Sequence, residues 1–393
     1  MGRVVQRGQV DLDDDSRPQE QVVQINETLS VCINAPIVCN RQTFEKKVKA
    51  GLRHAVEARK RGLMPTPYFF EALDYVRKAK KLQDYSLQRR KVPKVGDPLM
   101  EAIPIYNTVQ RRYAGFSNVL EQLWYGSMAP KIVANQKRGF ITSQRAWQGR
   151  IKHHLDAWLY ITLAHRITGS GASFEWDHGW RNNRISEMAL VGAGNVYTMA
   201  NWLADYDGPI FTSIGNQIPP FPKCGGREYL RTIAPELVKL TAVWLREHLR
   251  ITGKPAPIKT AVDAILALHT SLDCKRFKFV LTAWVMDMAE YLPKLVDPRS
   301  DCYHGKNAIE AMELCFDSAT GMKKQVFYDT ATRLFADLSG TYPMDVEDAS
   351  PGCDLVRWIE NYVPKKGFDH VIEQGIFNGS SLTWHDGRQP PPF

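Results

Sequence analysis

Four short stretches of the chain gather side chains able to charge, hold or deprotonate a substrate. The first, FKFVLTAWVMDMAEYL (277–292), carries Asp287 among Val280, Leu281, Trp284, Val285, Met286 and Met288. A carboxylate in such surroundings is costly unless partnered, and desolvation is expected to raise its pKa towards that of a general base. Trp284 lies one helical turn away, so both side chains are candidates for one pocket; the alternative is an Asp satisfied by a cap or a salt bridge. The second, CYHGKNAIEAMELCF (302–316), reads as a loop feeding a helix N-terminus. There His304, Gly305, Lys306 and Asn307 would offer cations and backbone donors to a pyrophosphate or a DNA phosphate. An ordinary helix start with an exposed lysine is the competing reading. The third, FEWDHGWRNN (174–183), sets Asp177, His178 and Arg181 beside Trp180, with Glu175 and Asn182 close by. Acid, base and aromatic plates in one loop suit a base taken out of the stack, although tryptophans equally serve as core anchors. The fourth, LVGAGNVYTMANWL (190–203), places Gly192, Gly194 and Asn195 between two helical stretches, as in a hairpin whose backbone approaches a DNA phosphate. A glycine-broken helix pair in the core explains the same letters.

Several familiar chemistries are excluded by missing motifs. There is no GxxxxGK[ST], no GxGxxG after a strand, no HExxH and no GxSxG. No zinc ligand set is expected: the seven cysteines include no CxxC, and His153 and His154 would point to different helix faces. Scattered cysteines, odd in number, fit a reducing compartment with free thiols. No apolar run approaches the roughly 18–20 residues of a membrane span, and the polar N-terminus lacks the apolar stretch of a signal peptide. A cytoplasmic protein with no membrane partner is therefore expected. The formal net charge of +9 favours a polyanionic partner, since Lys and Arg that neutralise phosphates release counterions.

The elements that must position these groups read as helices. Residues 1–24 look like a flexible tail, and TLSVCINAPIVC (28–39) is a short strand or extended segment. A basic N-terminal helical segment spans 25–95, with helices at 42–62, closed by Gly62, and at 65–91. The Pro- and Gly-rich stretch at 92–104 reads as a linker. A helical subdomain with a candidate helix-hairpin-helix covers 96–206, with helices at 105–125, 143–168 and 184–206. A Pro- and Gly-rich loop follows at 207–226. The segment 227–385 is a helical catalytic subdomain with helices expected at 227–251, 257–272, 275–292, 305–317, 322–338 and 353–362, and 386–393 is a disordered tail. The sum is an all-α chain with few or no strands.

Taken in order, the motifs of 277–355 resemble those of a phage DNA-hypermodification family, the α-glutamyl/putrescinyl-thymine pyrophosphorylases or amino acid:DNA transferases. That family has a helix of the type F-M-A-Y-Q-x-x-x-D-L, a G-P-G-A segment entering a helix that ends in Cys-Phe, and a later D-V-E-H-x-L-C-E. Here Phe279 and Asp287 match the ends of the first, and Tyr303, His304, Gly305 and Lys306 stand where the second falls, followed by Cys315 and Phe316. Asp345, Val346 and Glu347 match the third, with Cys353 displaced. A single glycine replaces Gly-Pro-Gly, Thr282 and Ala283 replace Tyr-Gln, and Asp348 stands where the family has His. Upstream, IYNTVQRRYAGFSN (105–118) is similar to the family's Asn-x-x-x-Arg segment.

The resemblance implies a helical, helix-hairpin-helix scaffold like that of DNA glycosylases. It also implies an enzyme that transfers the amine of an amino acid such as glycine or serine, or of a polyamine, onto an activated 5-(pyrophosphoryloxymethyl) group of deoxyuridine in double-stranded phage DNA. Pyrophosphate is released. Such an enzyme would act in an infected bacterial cell after a 5-hydroxymethyluracil DNA kinase and would require no cofactor beyond its co-substrate; whether a divalent metal assists stays open. Asp287 or Glu347 would take the amine's proton, and Lys306, His304 and Arg181 would face the leaving pyrophosphate. Two other classes fit the same residues: a glycosylase-like base-acting enzyme, and a non-catalytic DNA-binding accessory protein working through the basic helices of 42–91.

Overall fold

The computed structural model describes residues 22–26, 29–32, 41–88, 93–97, 100–101, 109–113, 120, 123–124, 155–168, 185, 188–189, 195–207, 225–274, 278–319 and 321–348. The described chain is mostly helical, with few strands and no closed sheet. Ten helices organise it: α1 (Arg41–Lys60), α2 (Pro67–Gln88), α3 (Leu155–Thr168), α4 (Val196–Ala204), α5 (Ala234–Thr252), α6 (Ile258–Ser271), α7 (Lys278–Tyr291), α8 (Lys306–Cys315), α9 (Lys324–Ser339) and α10 (Pro343–Asp348). Short helical turns at Arg111–Tyr113, Gly226–Glu228 and Tyr229–Ile233 complete the set, the last two running directly into α5.

The helices pack around two apolar cores. In the first, α3 is buried on all sides, every residue but Asp156 being covered, as expected of a helix apolar around its whole circumference. It lies between α5 and α7, with α6 behind α7, and Trp158, Trp284, Tyr160 and Tyr229 fill the centre. The second core is made by α1, α2, α8 and α9, around Phe69, Phe70, Phe316 and Phe335. Gly51 lets α1 approach α2: a Cβ there would sit 2.8 Å from Phe70 Cδ1 and 2.9 Å from Leu73 Cδ1. The six-residue α10 touches both cores, with Met344 buried in the first and Val346 in the second.

Among the described residues the strands form three small pairs. β1 (Val22–Asn26) and β2 (Leu29–Cys32) are antiparallel, so Val22–Gln24, expected within a flexible tail, belong to a hairpin instead. β3 (Leu63–Pro65) pairs antiparallel with β6 (Phe316–Ser318), which ties the end of α1 to the end of α8. β4 (Ala256–Pro257) and β5 (Val296–Asp297) are parallel and brace the starts and ends of α6 and α7. Expected helix boundaries lie close to those observed for α1, α2 and α5 to α9. Gly62, at φ 79°, sits just past α1, while Gly253 and Gly340, at φ 67° and 68°, close α5 and α9 in the left-handed region that favours glycine. The described part of the expected linker at 92–104 is a tight turn: Glu101 accepts the N–H groups of Val95 and Gly96 at 2.7 and 2.9 Å, and Asp97 caps Met100 N at 3.2 Å. The helix expected at 353–362 lies outside the described residues.

Candidate functional site

Asp287 projects from α7 into the first core and is wholly buried. Its companion Trp284 fixes α7 on α3, donating from Nε1 to Leu159 O at 3.1 Å and Thr162 Oγ1 at 2.9 Å. Facing Asp287 across that contact is Arg166, near the end of α3. Arg166 Nε donates to Oδ2 at 2.7 Å and Nη2 to Oδ1 at 2.8 Å, and Arg111 Nη2 reaches Oδ1 at 3.0 Å. Burial pushes the Asp287 carboxyl up, but the two guanidiniums outweigh it and hold the group below its ordinary value. The expectation of a raised, base-like pKa is therefore corrected: desolvation acts, but two opposite charges in direct contact act more strongly. Trp284 is likewise a core anchor with its N–H committed, not an open stacking surface.

The charge network extends outward from Asp287. Arg111 N donates to Asp345 Oδ1 at 2.9 Å, and Tyr342 N donates to Asp345 Oδ2 at 2.9 Å. Burial, with the nearby charge of Glu290, pushes the Asp345 carboxyl up to about 7 despite these bonds. Glu290, one turn beyond Asp287 on α7, is also raised by burial and accepts from Arg112 Nη1 at 3.4 Å. Three arginines and three acids thus lie together along the seam between the two cores.

Two residues further along α10, Glu347 enters a second network. It receives the N–H of Gly305 on Oε2 at 2.9 Å and faces His304 Nδ1 with Oε1. The opposite nitrogen, His304 Nε2, meets Asp329 Oδ1 of α9 at 2.7 Å, and Asp329 in turn accepts from Lys259 Nζ at 3.2 Å and Gln325 Nε2 at 3.0 Å. Burial works against the imidazolium, but the two carboxylates prevail and raise the His304 pKa. The Asp329 carboxyl is held below its ordinary value, burial being outweighed by His304 and Lys259. Because the two acids take opposite edges of the ring, they do not converge on one point. Among the described residues no group of three or more His, Cys, Asp or Glu is arranged to hold a metal ion. Cys302, beside this network in sequence, is buried, and burial pushes its thiol well above the range of a nucleophile.

The expected phosphate cradle differs in detail. Gly305 caps α8 in extended backbone, but its N–H is given to Glu347 and not left for an anion. Lys306 is 86% exposed and pairs with Glu310 at 3.4 Å, one turn along α8. Asn307 lies in the first turn of the same helix. Asn195 is the N-cap of α4: its side chain accepts Thr198 N at 3.1 Å, so a local helix cap uses the oxygen assigned to DNA-backbone contact. Asp177, His178, Trp180, Arg181, Gly192 and Gly194 lie outside the described residues. A groove of about 370 Å³ is lined by Glu313, Phe316, Asp317, Lys324, Phe327 and Tyr328 among others, and by none of Asp287, Lys306 and Glu347. Tyr328 joins it to the second network, its ring centre 5.9 Å from that of His304.

Arg166 and Asp329 were not among the residues singled out by motif, whereas Asp345 matched the D-V-E segment and Arg111 lies in the 105–118 segment, neither with a role assigned. One signal was present for Arg166: it is the one Lys or Arg in the largely apolar run LDAWLYITLAHRIT, much as Asp287 stands among apolar residues in its own helix. Two such charges of opposite sign in two largely apolar helices are natural partners. Comparison with protein-family models, with characterised proteins and with solved structures finds no match for the chain. Among the described residues, no helix is long and apolar enough to cross a membrane.

Proposed function

We propose that the chain is a base-modifying enzyme of DNA, built on a helical scaffold like that of the DNA glycosylases, which transfers an amine onto the activated 5-methylene of a uracil base. What supports the reading is convergence. The segments that carry the resemblance, 105–118 and 277–355, are far apart in the sequence, yet Arg111, Asp287, His304, Gly305, Asp345 and Glu347 form two polar networks joined by the single helix α10. In the reaction the neutral amine nitrogen bonds to the 5-methylene carbon, the bond from that carbon to the pyrophosphate oxygen breaks, and the alkylammonium so formed loses a proton. Glu347, hydrogen-bonded to His304, is the acid assigned to receive it. The His304 imidazolium and Lys306 offset charge on the departing pyrophosphate. Asp287 acts as a positioning residue that orients Arg111 and Arg166. Double-stranded phage DNA in an infected bacterial cell, modified beforehand by a 5-hydroxymethyluracil DNA kinase, is the substrate.

The test is direct. Duplex DNA bearing 5-(pyrophosphoryloxymethyl)deoxyuridine is incubated with the protein and glycine, serine or putrescine, then digested to nucleosides and weighed by mass spectrometry. A new nucleoside carrying the amine, with stoichiometric pyrophosphate, is the expected result. Free base with an abasic site would mean a glycosylase. Unchanged nucleosides with every amine, alongside duplex binding, would mean an accessory DNA-binding protein.

A further inference from the structure

The second core is walled on one side by α1, whose two faces differ sharply in charge. Val48, Ala55 and Ala58 are buried, Gly51 lies against Phe70, and the inward cation Lys47 is neutralised by Glu71 at 2.6 Å and Asp74 at 3.6 Å. The outward face carries Lys46, Lys49, Arg53 and Lys60, all exposed, and none of the four enters an ion pair with another described residue. Successive helical steps of 100° place these four within about 60° of arc, along roughly 21 Å of helix axis. Glu57, at the edge of that stripe, is taken by Arg61 at 3.1 Å, and Glu45 lies off it and is partly buried. No acid therefore interrupts the row. Four cations in one line, without an ion-pair partner among the described residues, repel one another, an arrangement that a bound polyanion relieves.

We infer that the Lys46–Lys49–Arg53–Lys60 stripe of α1 is a docking surface for the phosphate backbone of duplex DNA. This rests on the reading of the chain as a DNA-acting enzyme and adds where the duplex is gripped, on residues outside the His304 and Asp287 networks. Duplex DNA presents one phosphate per about 1.7 Å of axis, so a straight row of this length meets more than enough anions to engage every cation. Contacts of this kind are sequence-independent and position the duplex without reading it.

The experiment compares the full chain with the variant Lys46→Gln, Lys49→Gln, Arg53→Gln, Lys60→Gln, in which residues of similar helix propensity keep α1 intact, as circular dichroism would verify. Affinity for unmodified duplex is measured against salt. Each lost phosphate contact lowers the slope of log affinity on log salt by about 0.9, so four lower it by roughly 3.6. Between about 50 and 200 mM salt the wild type should therefore lose roughly 150-fold more affinity than the variant. A control variant, Arg246→Gln, Lys254→Gln, Lys294→Gln, removes three exposed cations from other elements and should leave the slope nearly unchanged. An equal fall per charge in the control would overturn the stripe in favour of net charge alone. An unaltered slope in the α1 variant, with the wild type binding duplex, overturns the docking surface but not the base-modifying reading. Binding of the wild type to phosphatidylserine vesicles and not to duplex would overturn both.

Discussion

Replacing Asp287 by Asn separates a structural charge from a catalytic one. The substitution keeps side-chain volume but removes the negative charge that two guanidiniums surround at 2.7–3.0 Å. Asp287, Arg111 and Arg166 are all buried, so solvent cannot compensate the two cations left behind. Removing one partner of a buried ion pair costs about 3–5 kcal/mol, and Asn, which still accepts one hydrogen bond, belongs towards the lower end. The assay is urea unfolding followed by circular dichroism at neutral pH, with wild type and variant compared at equal m-value. The pH dependence gives an independent check. The Asp287 pKa is depressed in the fold, so its contribution is complete above the unfolded value of about 3.9 and is lost as pH falls through the lower folded value. The gap between the two proteins should therefore be constant at neutral pH and shrink in acid. A variant within about 0.5 kcal/mol of wild type at pH 7 would refute the buried-triad reasoning. Transfer activity measured where the variant remains folded adds a further test. A positioning residue leaves measurable turnover in the folded variant, whereas a proton acceptor leaves none.

Three further outcomes are expected. Trp284→Phe deletes the N–H that serves Leu159 O and Thr162 Oγ1, and unfolding should report a loss of about 1–3 kcal/mol. Gly51→Ala forces a methyl against Phe70 and Leu73 and should destabilise by about 1–3 kcal/mol in the same assay. Asp345 binds its proton more tightly folded than unfolded, because burial, reinforced by Glu290, lifts it to about 7; its contribution to stability therefore declines as pH rises from about 4 to 7. Asp345→Asn should show a flatter stability–pH profile over that window, and a profile parallel to wild type would count against the assignment.

Much of the fold was legible because periodicity and helix stops are local. Gly62, Gly253 and Gly340 mark ends that the structure places within a few residues of the reading, and the largely apolar α3 and α7 are buried helices. The small strand pairs were harder: β3 with β6 joins residues some 250 positions apart, and three-residue strands leave no alternation to read. At the candidate site the apolar surroundings single out Asp287, the loop before α8 points to His304 and the resemblance points to Glu347, but their partners depend on tertiary packing. The direction of the Asp287 pKa shift was missed for that reason, since burial is visible in an apolar run whereas Arg166 and Arg111 arrive from 121 and 176 positions earlier. Gly305 was similarly read as a free anion donor because the acid that occupies it lies 42 residues onward.

The role of α10 follows from its alternation. Met344 and Val346 bury in different cores, while Asp345 and Glu347, interleaved with them, bind Arg111 on one side and the His304–Gly305 turn on the other. A six-residue helix has little intrinsic stability, so its place is set almost wholly by these four side chains. Any relative shift of the cores must strain one apolar anchor and break one carboxylate's hydrogen bonds, in a setting where buried unpartnered charge is costly. The same residues that join the two halves are those on which the proposed chemistry depends. Rigidity at this seam and correct placement of Glu347 against His304 are therefore one physical requirement: a mutation that loosens α10 should reduce turnover before it unfolds either core.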